Sequence, residues 1–235
     1  MIECALYLIP VPLSEGAVDN VIPACNIDIV RKIKHFIVEN VRTARRFLKQ
    51  VDKAIDIDAL RFFELNQHTA PEQIGTYLEP LLQGCDVGII SEAGCPAIAD
   101  PGADVVALAQ QKGINVVPLV GPSSILLSLM ASGFNGQSFA FNGYLPIDKN
   151  ARAQQLKMLE KRIYTEHQTQ IFIETPYRNK QLVDDLCRTL QPHTKLCIAA
   201  DITGPNEYIK TNTLAAWKKA LPDIGKVPCI FLIYK

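Results

Sequence analysis

Three glutamates stand where apolar runs stop. Glu39 ends HFIVE, Glu92 follows VGIIS, and Glu174 ends QIFIE. A hydroxyl is a poor nucleophile near neutral pH, and a carboxylate held at a strand end can accept its proton. Glu39 is the first candidate for that base, with Arg42 three positions on. The arginine keeps the carboxylate ionised or holds a phosphate; alternatively the two form a structural ion pair across a strand–helix corner. Arg42, Arg45, Arg46 and Lys49 recur at i, i+3, i+4 and i+7 and share one face of a helix. Such a stripe tracks phosphates or is simply a solvated face. A second basic cluster comprises Lys149, Arg152, Lys157, Lys161 and Arg162. It extends a nucleic-acid groove or lies on the surface.

The segment SEAGCPAIADPG, residues 91–102, packs small residues, prolines and glycines into one strand exit. Small residues let the backbone approach a ligand, and Gly94 can take a dihedral closed to other residues. The loop is therefore a tight turn between strand and helix, or a cradle of backbone donors and acceptors. It is neither a G-x-G-x-x-G nor a P-loop, so a dinucleotide or triphosphate is not indicated. Asp100 is expected to fix this loop beside Pro101-Gly102, with direct ligand contact as the alternative. His68 follows a strand and reads by itself as structural. Tyr144 and Tyr177 sit in loops where they stack on a base or bury their rings.

The elements that must position these groups alternate. Strands are expected at Ala5–Ile9, His35–Glu39, Arg61–Leu65, Val87–Ser91 and Asn115–Leu119, with helices at Val41–Val51, Pro71–Gln83 and Asp104–Lys112. Thr69 is a candidate N-cap before Pro71. The pattern then restarts. Helices are expected at Pro122–Ser132, Ala151–Thr165 and Pro176–Leu190, and strands at Ser138–Asn142, Gln170–Glu174, Leu196–Ala200 and Val227–Tyr234. This predicts an α/β chain of two domains, 1–118 and 119–235, with mainly parallel or mixed sheets. Ligands of open α/β sheets bind beyond the carboxyl ends of strands, which selects Glu39, Ser91–Gly94, Gly121–Ser124 and Glu174-Thr175.

The totals narrow the function class. Lys plus Arg and Asp plus Glu both number 24, so overall charge does not mark a nucleic-acid binder. No run of about 18 apolar residues suggests a membrane span. The start, MIECALYLIPVP, has no basic region before its apolar run, and Glu3 is wrong for a signal peptide; a cytoplasmic protein is expected. The seven cysteines are odd in number and never spaced C-x-x-C, so neither a disulfide framework nor a zinc site is expected. Cys4, Cys187, Cys197 and Cys229 read as buried thiols.

SEAGCPAIADPG followed by VVPLVGPSS resembles the S-D-A-G-T-P-x-I-S-D-P-G and V-x-P-x-P-G-P-x-A pattern of the bacterial ribosomal RNA small subunit methyltransferase I family, within the tetrapyrrole-methylase superfamily. ALYLIPVPL, VENVRTARRFL, ELNQHT, FAFNGYLP, FIETPYR and GKVPCIFLI resemble further family segments in the same order, over nearly the whole chain. The resemblance implies two α/β/α domains with the active site in the cleft between them, usually in a homodimer, and S-adenosylmethionine as cofactor. It implies a cofactor site of Pro12, Ser91, Glu92, Ala93, Gly94, Cys95, Ile98, Ser123, Ser124, Glu174 and Pro228, with no metal. Glu39 and Arg42 are the catalytic candidates. Arg45, Arg46, Tyr144, Tyr177 and Arg178 are the candidates for binding an RNA of the small ribosomal subunit. His68 matches a family histidine.

The family's T-P-I-G-N is V-P-L-S-E here, A-E-D-T-R is V-E-N-V-R with Asn40 for the acid, and S-D-A-G is S-E-A-G. The chain stops at Lys235, where ribosomal enzymes commonly carry an extension. The expected reaction is ribose 2′-O-methylation of a cytidine in small-subunit ribosomal RNA. The alternatives are methylation of a tetrapyrrole or other small molecule, and a cofactor-binding protein without catalysis. Against the tetrapyrrole stands the absence of G-x-G-P-G-D from the first loop.

Overall fold

The computed structural model describes residues 4–16, 18–66 and 69–235, apart from the side chain of Pro71. Glu3 and His68 lie outside the described residues. The chain divides into two compact units, 1–123 and 124–235.

The first unit holds β1 (Ala5–Ile9), α1 (Ala24–Val30), β2 (His35–Val38), α2 (Val41–Val51) and β3 (Arg61–Glu64). It continues with α3 (Pro71–Tyr77), α4 (Glu79–Leu82), β4 (Val87–Ile90), α5 (Ala103–Gln111) and β5 (Asn115–Pro118). The five strands form a wholly parallel sheet in the order β3-β2-β4-β1-β5. Parallel strands all end on one edge. The register makes those ends level: Ile9 and Val38 both pair with Ile90, and Val38 with Glu64. Buried on both faces, β4 reads VGII without alternation. Gly88 is needed there, because a Cβ would meet Ile9 and Phe36.

Helix α2 has two faces set by one spacing. Ala44, Phe47, Leu48 and Val51 are buried against Phe36, Val38 and Ile90, while Arg42, Arg45, Arg46 and Lys49 are exposed. Full burial of each large apolar side chain contributes roughly 1.5–3 kcal/mol. Asn40 caps the helix, its Oδ1 accepting from the amides of Arg42 at 2.9 Å and Thr43 at 3.4 Å. Asparagine and aspartate cap equally well, so the departure from A-E-D-T-R keeps the cap and removes one charge.

The expected helix over 71–83 is instead two pieces meeting at Leu78. Pro80 has no N–H to continue the ladder. Its N-cap is Ala70, without a side-chain cap bond; the Thr69 hydroxyl accepts from the Asn66 amide at 3.0 Å.

The second unit holds α6 (Ser124–Ser132), β6 (Phe139–Tyr144), α7 (Lys149–Thr165), β7 (Thr169–Ile173) and α8 (Asn179–Thr189). Then come β8 (Lys195–Ala200), β9 (Tyr208–Thr213), α9 (Leu214–Trp217) and β10 (Cys229–Tyr234). Its sheet is mixed, in the order β6-β7-β10-β8-β9. Only β6 and β7 are parallel; β10 lies antiparallel between β7 and β8. Leu156, Leu159, Phe172, Leu182, Leu186 and Phe231 centre its core. Cys197 and Cys229 are buried and Cys4 and Cys187 half-buried, and burial pushes the Cys229 thiol up to about 12. No described helix is long and apolar enough to cross a membrane.

Candidate active site

The carboxyl edge of the parallel sheet gathers most of the residues expected to act. Pro12 follows β1, Glu39 follows β2, Ser91–Cys95 follow β4, and Ser123 follows β5. The loops after β1 and β4 are tied together, Val11 and Gly94 exchanging backbone hydrogen bonds of 3.0 and 3.1 Å. Gly94 has φ +74°, and a Cβ there would press on Leu13. Buried Ser91 donates to the Gly94 carbonyl at 2.9 Å, closing the turn. Cys95 reaches the Pro122 carbonyl at 3.5 Å and so links this turn to the segment after β5. Ala97 and Ala99 hold φ of +64° and +62°, a left-handed backbone that costs non-glycine residues energy. Glu92, Ala93 and Ile98 remain exposed around this framework.

Adjacent strands bring the acids together. Because β2 and β4 pair, Glu39 and Glu92 emerge from neighbouring strand ends. The Thr43 hydroxyl donates to Glu92 Oε1 at 2.5 Å, which fixes that carboxylate over the start of α2. Glu39, Ser91, Asp100 and Pro101 line one small crevice with Val38 and Ile90. Burial, then the charge of Glu92, raises the Glu39 carboxyl above its ordinary value. Burial, then Glu39 and Glu92, pushes Asp100 up to about 6.

Two expectations fail here. Arg42 does not pair with Glu39 among the described residues, and Glu39 is shifted toward its protonated form rather than held ionised. Arg42 points from the exposed face of α2, leaving desolvation and like charge in control. Nor is Asp100 a loop-fixing acceptor: no described residue donates to it, and it belongs to the carboxyl cluster. Nothing in the spacing of 39, 92 and 100 announced this; strand order did.

Asp100 binds its proton more tightly folded than unfolded. That preference contributes stability below the unfolded pKa of 3.8 and is lost as pH rises through about 6. Asp100→Asn is therefore expected to raise the melting temperature near about pH 8 and change little near about pH 3.5. Calorimetry at both pH values measures this, and an unchanged midpoint at the higher pH would contradict it.

On the second unit, Glu174 is buried at the end of β7. It accepts from Arg178 Nη2 at 2.6 Å and from the Thr175 amide at 2.7 Å, so these two expected site residues are partners of each other. Exposed Pro228 immediately precedes β10, and its carbonyl accepts from the Asp201 amide at 3.1 Å. Tyr144 ends β6 and Tyr177 follows β7, 59% and 83% exposed; their rings are not buried. Ser124 starts α6. Arg152 leaves the expected surface cluster: it is 5% exposed and paired with Asp185.

The basic stripe is exposed as the spacing requires. Arg45 lies over the Phe62 ring at 5.4 Å, and Lys49 donates to the carbonyls of Lys53 and Ile55. Arg42 and Arg46 have no ion-pair partner among the described residues.

A level parallel edge carrying a small-residue loop and desolvated carboxyls defines an α/β enzyme that binds its ligand off the strand ends. Comparison with known proteins supplies the family. Residues 26–217 match the tetrapyrrole (corrin/porphyrin) methylases, and the chain belongs to that family. It is an S-adenosylmethionine-dependent methyltransferase. The ribosomal RNA small subunit methyltransferase I of Vibrio cholerae is 29% identical over 210 residues, 89% of this chain and 69% of that protein. That of Halalkalibacterium halodurans is 31% identical over 89% of this chain and 68% of that protein. That of Haemophilus influenzae is 35% identical over 73% of this chain and 60% of that protein. The chain thus spans between 60% and 69% of these relatives' length. Among solved structures, the methyltransferase CobJ covers the fold with a TM-score of 0.64 at 14% identity, over 99% of this chain and 94% of that one.

The residues suit this cofactor. The turn 93–99 offers small side chains and left-handed backbone, which leave peptide groups within reach of an adenosyl ligand. The carboxyl cluster beside it favours a cation such as a sulfonium.

Proposed function

We propose that this chain methylates a ribose 2′-hydroxyl of small-subunit ribosomal RNA, at a cytidine. One observation carries the reading. The desolvated Glu39 and the exposed arginine face of α2 follow each other directly at the end of β2, with Asn40 as the cap between them. A proton acceptor and a phosphate-binding face are thereby fixed to one rigid corner. The names of the curated relatives support the same substrate class.

S-adenosylmethionine, when bound, supplies a methyl group electrophilic enough that the protein need only align the acceptor and take its proton. Pro12, Ser91–Cys95, Ile98 and Ser123, all on the first unit, are the proposed holders of the cofactor. Glu39 accepts the hydroxyl proton. Burial, then the like charge of Glu92, raises its affinity for that proton. Arg42, Arg45 and Arg46 hold the RNA backbone. The protein is further proposed to work in the cytoplasm as a homodimer, which the resemblance implies and equilibrium sedimentation tests.

The experiment is transfer of a labelled methyl group from S-adenosylmethionine to purified small subunits that lack the mark. Incorporation into their RNA is expected. Incorporation into porphyrinoids with none into RNA would replace this reading by tetrapyrrole methylation. Reversing Arg45 and Arg46 to glutamate is expected to weaken RNA binding and to flatten its dependence on log salt by about one to two. An unchanged slope means that the stripe is a solvated face.

A further inference from the structure

The edge of the mixed sheet bearing Tyr144 is built with more rigidity than a surface loop requires. Strand β6 bulges before it ends: Phe141 pairs with Ile171, but Tyr144 pairs with Ile173, so two residues oppose one. Gly143 takes φ +62° within the bulge. The Asn142 amide spans the gap, lying 3.2 Å from both Gln170 Oε1 and the Ile171 carbonyl. Beyond the bulge, Leu145 is sunk in the core. The next turn is then gripped from inside, Arg152 Nη1 donating to the carbonyls of Pro146 and Ile147 at 2.8 Å each. Arg152 is itself held through Nε at 2.9 Å and Nη2 at 2.5 Å by Asp185, which is 3% exposed. A buried guanidinium thus fixes, with two hydrogen bonds, a turn whose outer residues face solvent, and is itself fixed by two more to Asp185.

What this turn presents is an aromatic ring. Tyr144 projects between the bulge and the Leu145 anchor, and Tyr177 follows the neighbouring parallel strand four residues past Ile173. Both are exposed, and exposed Lys149 and Lys180 open the two helices that follow. Two exposed aromatic residues at neighbouring parallel strand ends, each with an exposed lysine in the first turn of the next helix, match the chemistry of unpaired nucleotides, whose bases stack and whose phosphates need positive charge. A platform already rigid loses little freedom when a base is stacked on it.

We infer that the Tyr144–Ile147 turn is a pre-set stacking platform for an unpaired RNA base, and that Arg152, locked by Asp185, is its positioning residue. This rests on the RNA reading above and extends it to a subsite on the second unit. Arg152 touches no substrate; it acts through the turn.

The test is fluorescence anisotropy of a labelled ten-nucleotide cytidine RNA, with cofactor affinity measured in parallel by calorimetry. Tyr144→Ala is expected to weaken RNA binding by about tenfold, Tyr144→Phe to leave it near the wild-type value, and both to leave cofactor affinity unchanged. Arg152→Lys retains charge beside Asp185 but cannot bridge carboxylate and both carbonyls; it is expected to raise KM for RNA about fivefold with kcat retained. If Arg152→Lys proves unstable, the tyrosine pair still decides. Wild-type protein that binds cofactor but no RNA overturns the RNA reading itself. RNA binding that survives Tyr144→Ala overturns the platform alone. A Tyr144→Ala protein that changes its sedimentation mass, with RNA affinity intact, also overturns it, because the face then joins two copies of this chain.

Discussion

Glu39→Gln is expected to slow methyl transfer by about 10²–10⁴-fold while leaving cofactor affinity within about twofold. The substitution keeps the size and polarity of the side chain and removes only its ability to take a proton. It also removes one of the charges that raise Asp100, so the acid limb of the pH–rate profile should change with it. In the wild-type protein, burial and Glu92 lift the Glu39 pKa and thereby strengthen it as a base. The same shift costs occupancy of the ionised form as pH falls. Activity should therefore fall as pH drops through a Glu39 pKa that lies above the ordinary 4.5, and level off above it. Turnover that survives Glu39→Gln would remove Glu39 from this role and leave Asp100 or Glu92 to be tested in turn. The measurement is single-turnover transfer with saturating cofactor, which separates the chemical step from binding.

The largest effect on stability is expected far from these carboxyls. Asp185→Ala should cost about 3–5 kcal/mol, because it strands the buried Arg152 guanidinium without its counter-ion. Asp185 also accepts from Gln181 at 3.1 Å and from Arg188, so one carboxylate closes a network across α7 and α8. Burial alone would raise its pKa, but the Arg152 hydrogen bond and charge outweigh burial and hold it below the ordinary value. A depressed folded pKa means stability that is present above the unfolded value of 3.8 and lost as pH falls through the folded one. The gap between wild type and variant should consequently narrow at strongly acid pH. Denaturant unfolding at neutral and acid pH reads both effects. A loss below about 1 kcal/mol at neutral pH would mean that the pair is solvated in solution. Replacing both partners by apolar residues is a separate case and can be neutral for stability.

Local pattern carried much of the fold. Runs such as ALYLI, HFIV and VGII are strands because they are short, apolar and followed by turn residues. The amphipathic spacing of VRTARRFLKQV gave α2 both faces correctly. What escaped the reading depends on distant partners. Helix α1, ACNIDIV, has no capping side chain and begins after Pro23, so its start carries no signal. Strand β9, YIKTNT, is largely polar and forms the sheet edge against β8. The insertion of β10 between β7 and β8 is a choice of topology that no run of residues encodes.

The candidate site divides in the same way. The small-residue loop and Glu39 were legible because each is a local feature at a strand end. The carboxyl cluster was not, since it depends on β2 and β4 being neighbours although β3 lies between them in sequence. Arg152 was misread for a related reason. Its sequence neighbours are charged and exposed, and only Asp185, on another helix, takes it into the interior. Asn40 needed the structure to separate its two meanings, a retained helix cap and a lost charge.

The ribose is the sharpest part of the account, and alkaline hydrolysis tests it most directly. A 2′-hydroxyl attacks its neighbouring phosphodiester in alkali, and a 2′-O-methyl group cannot. Small-subunit RNA labelled by this protein from methyl-labelled S-adenosylmethionine should release its label in an alkali-stable dinucleotide with cytidine on the 5′ side. Label recovered in mononucleotides would place the methyl on a base and contradict the assignment of Glu39 as acceptor of a ribose proton.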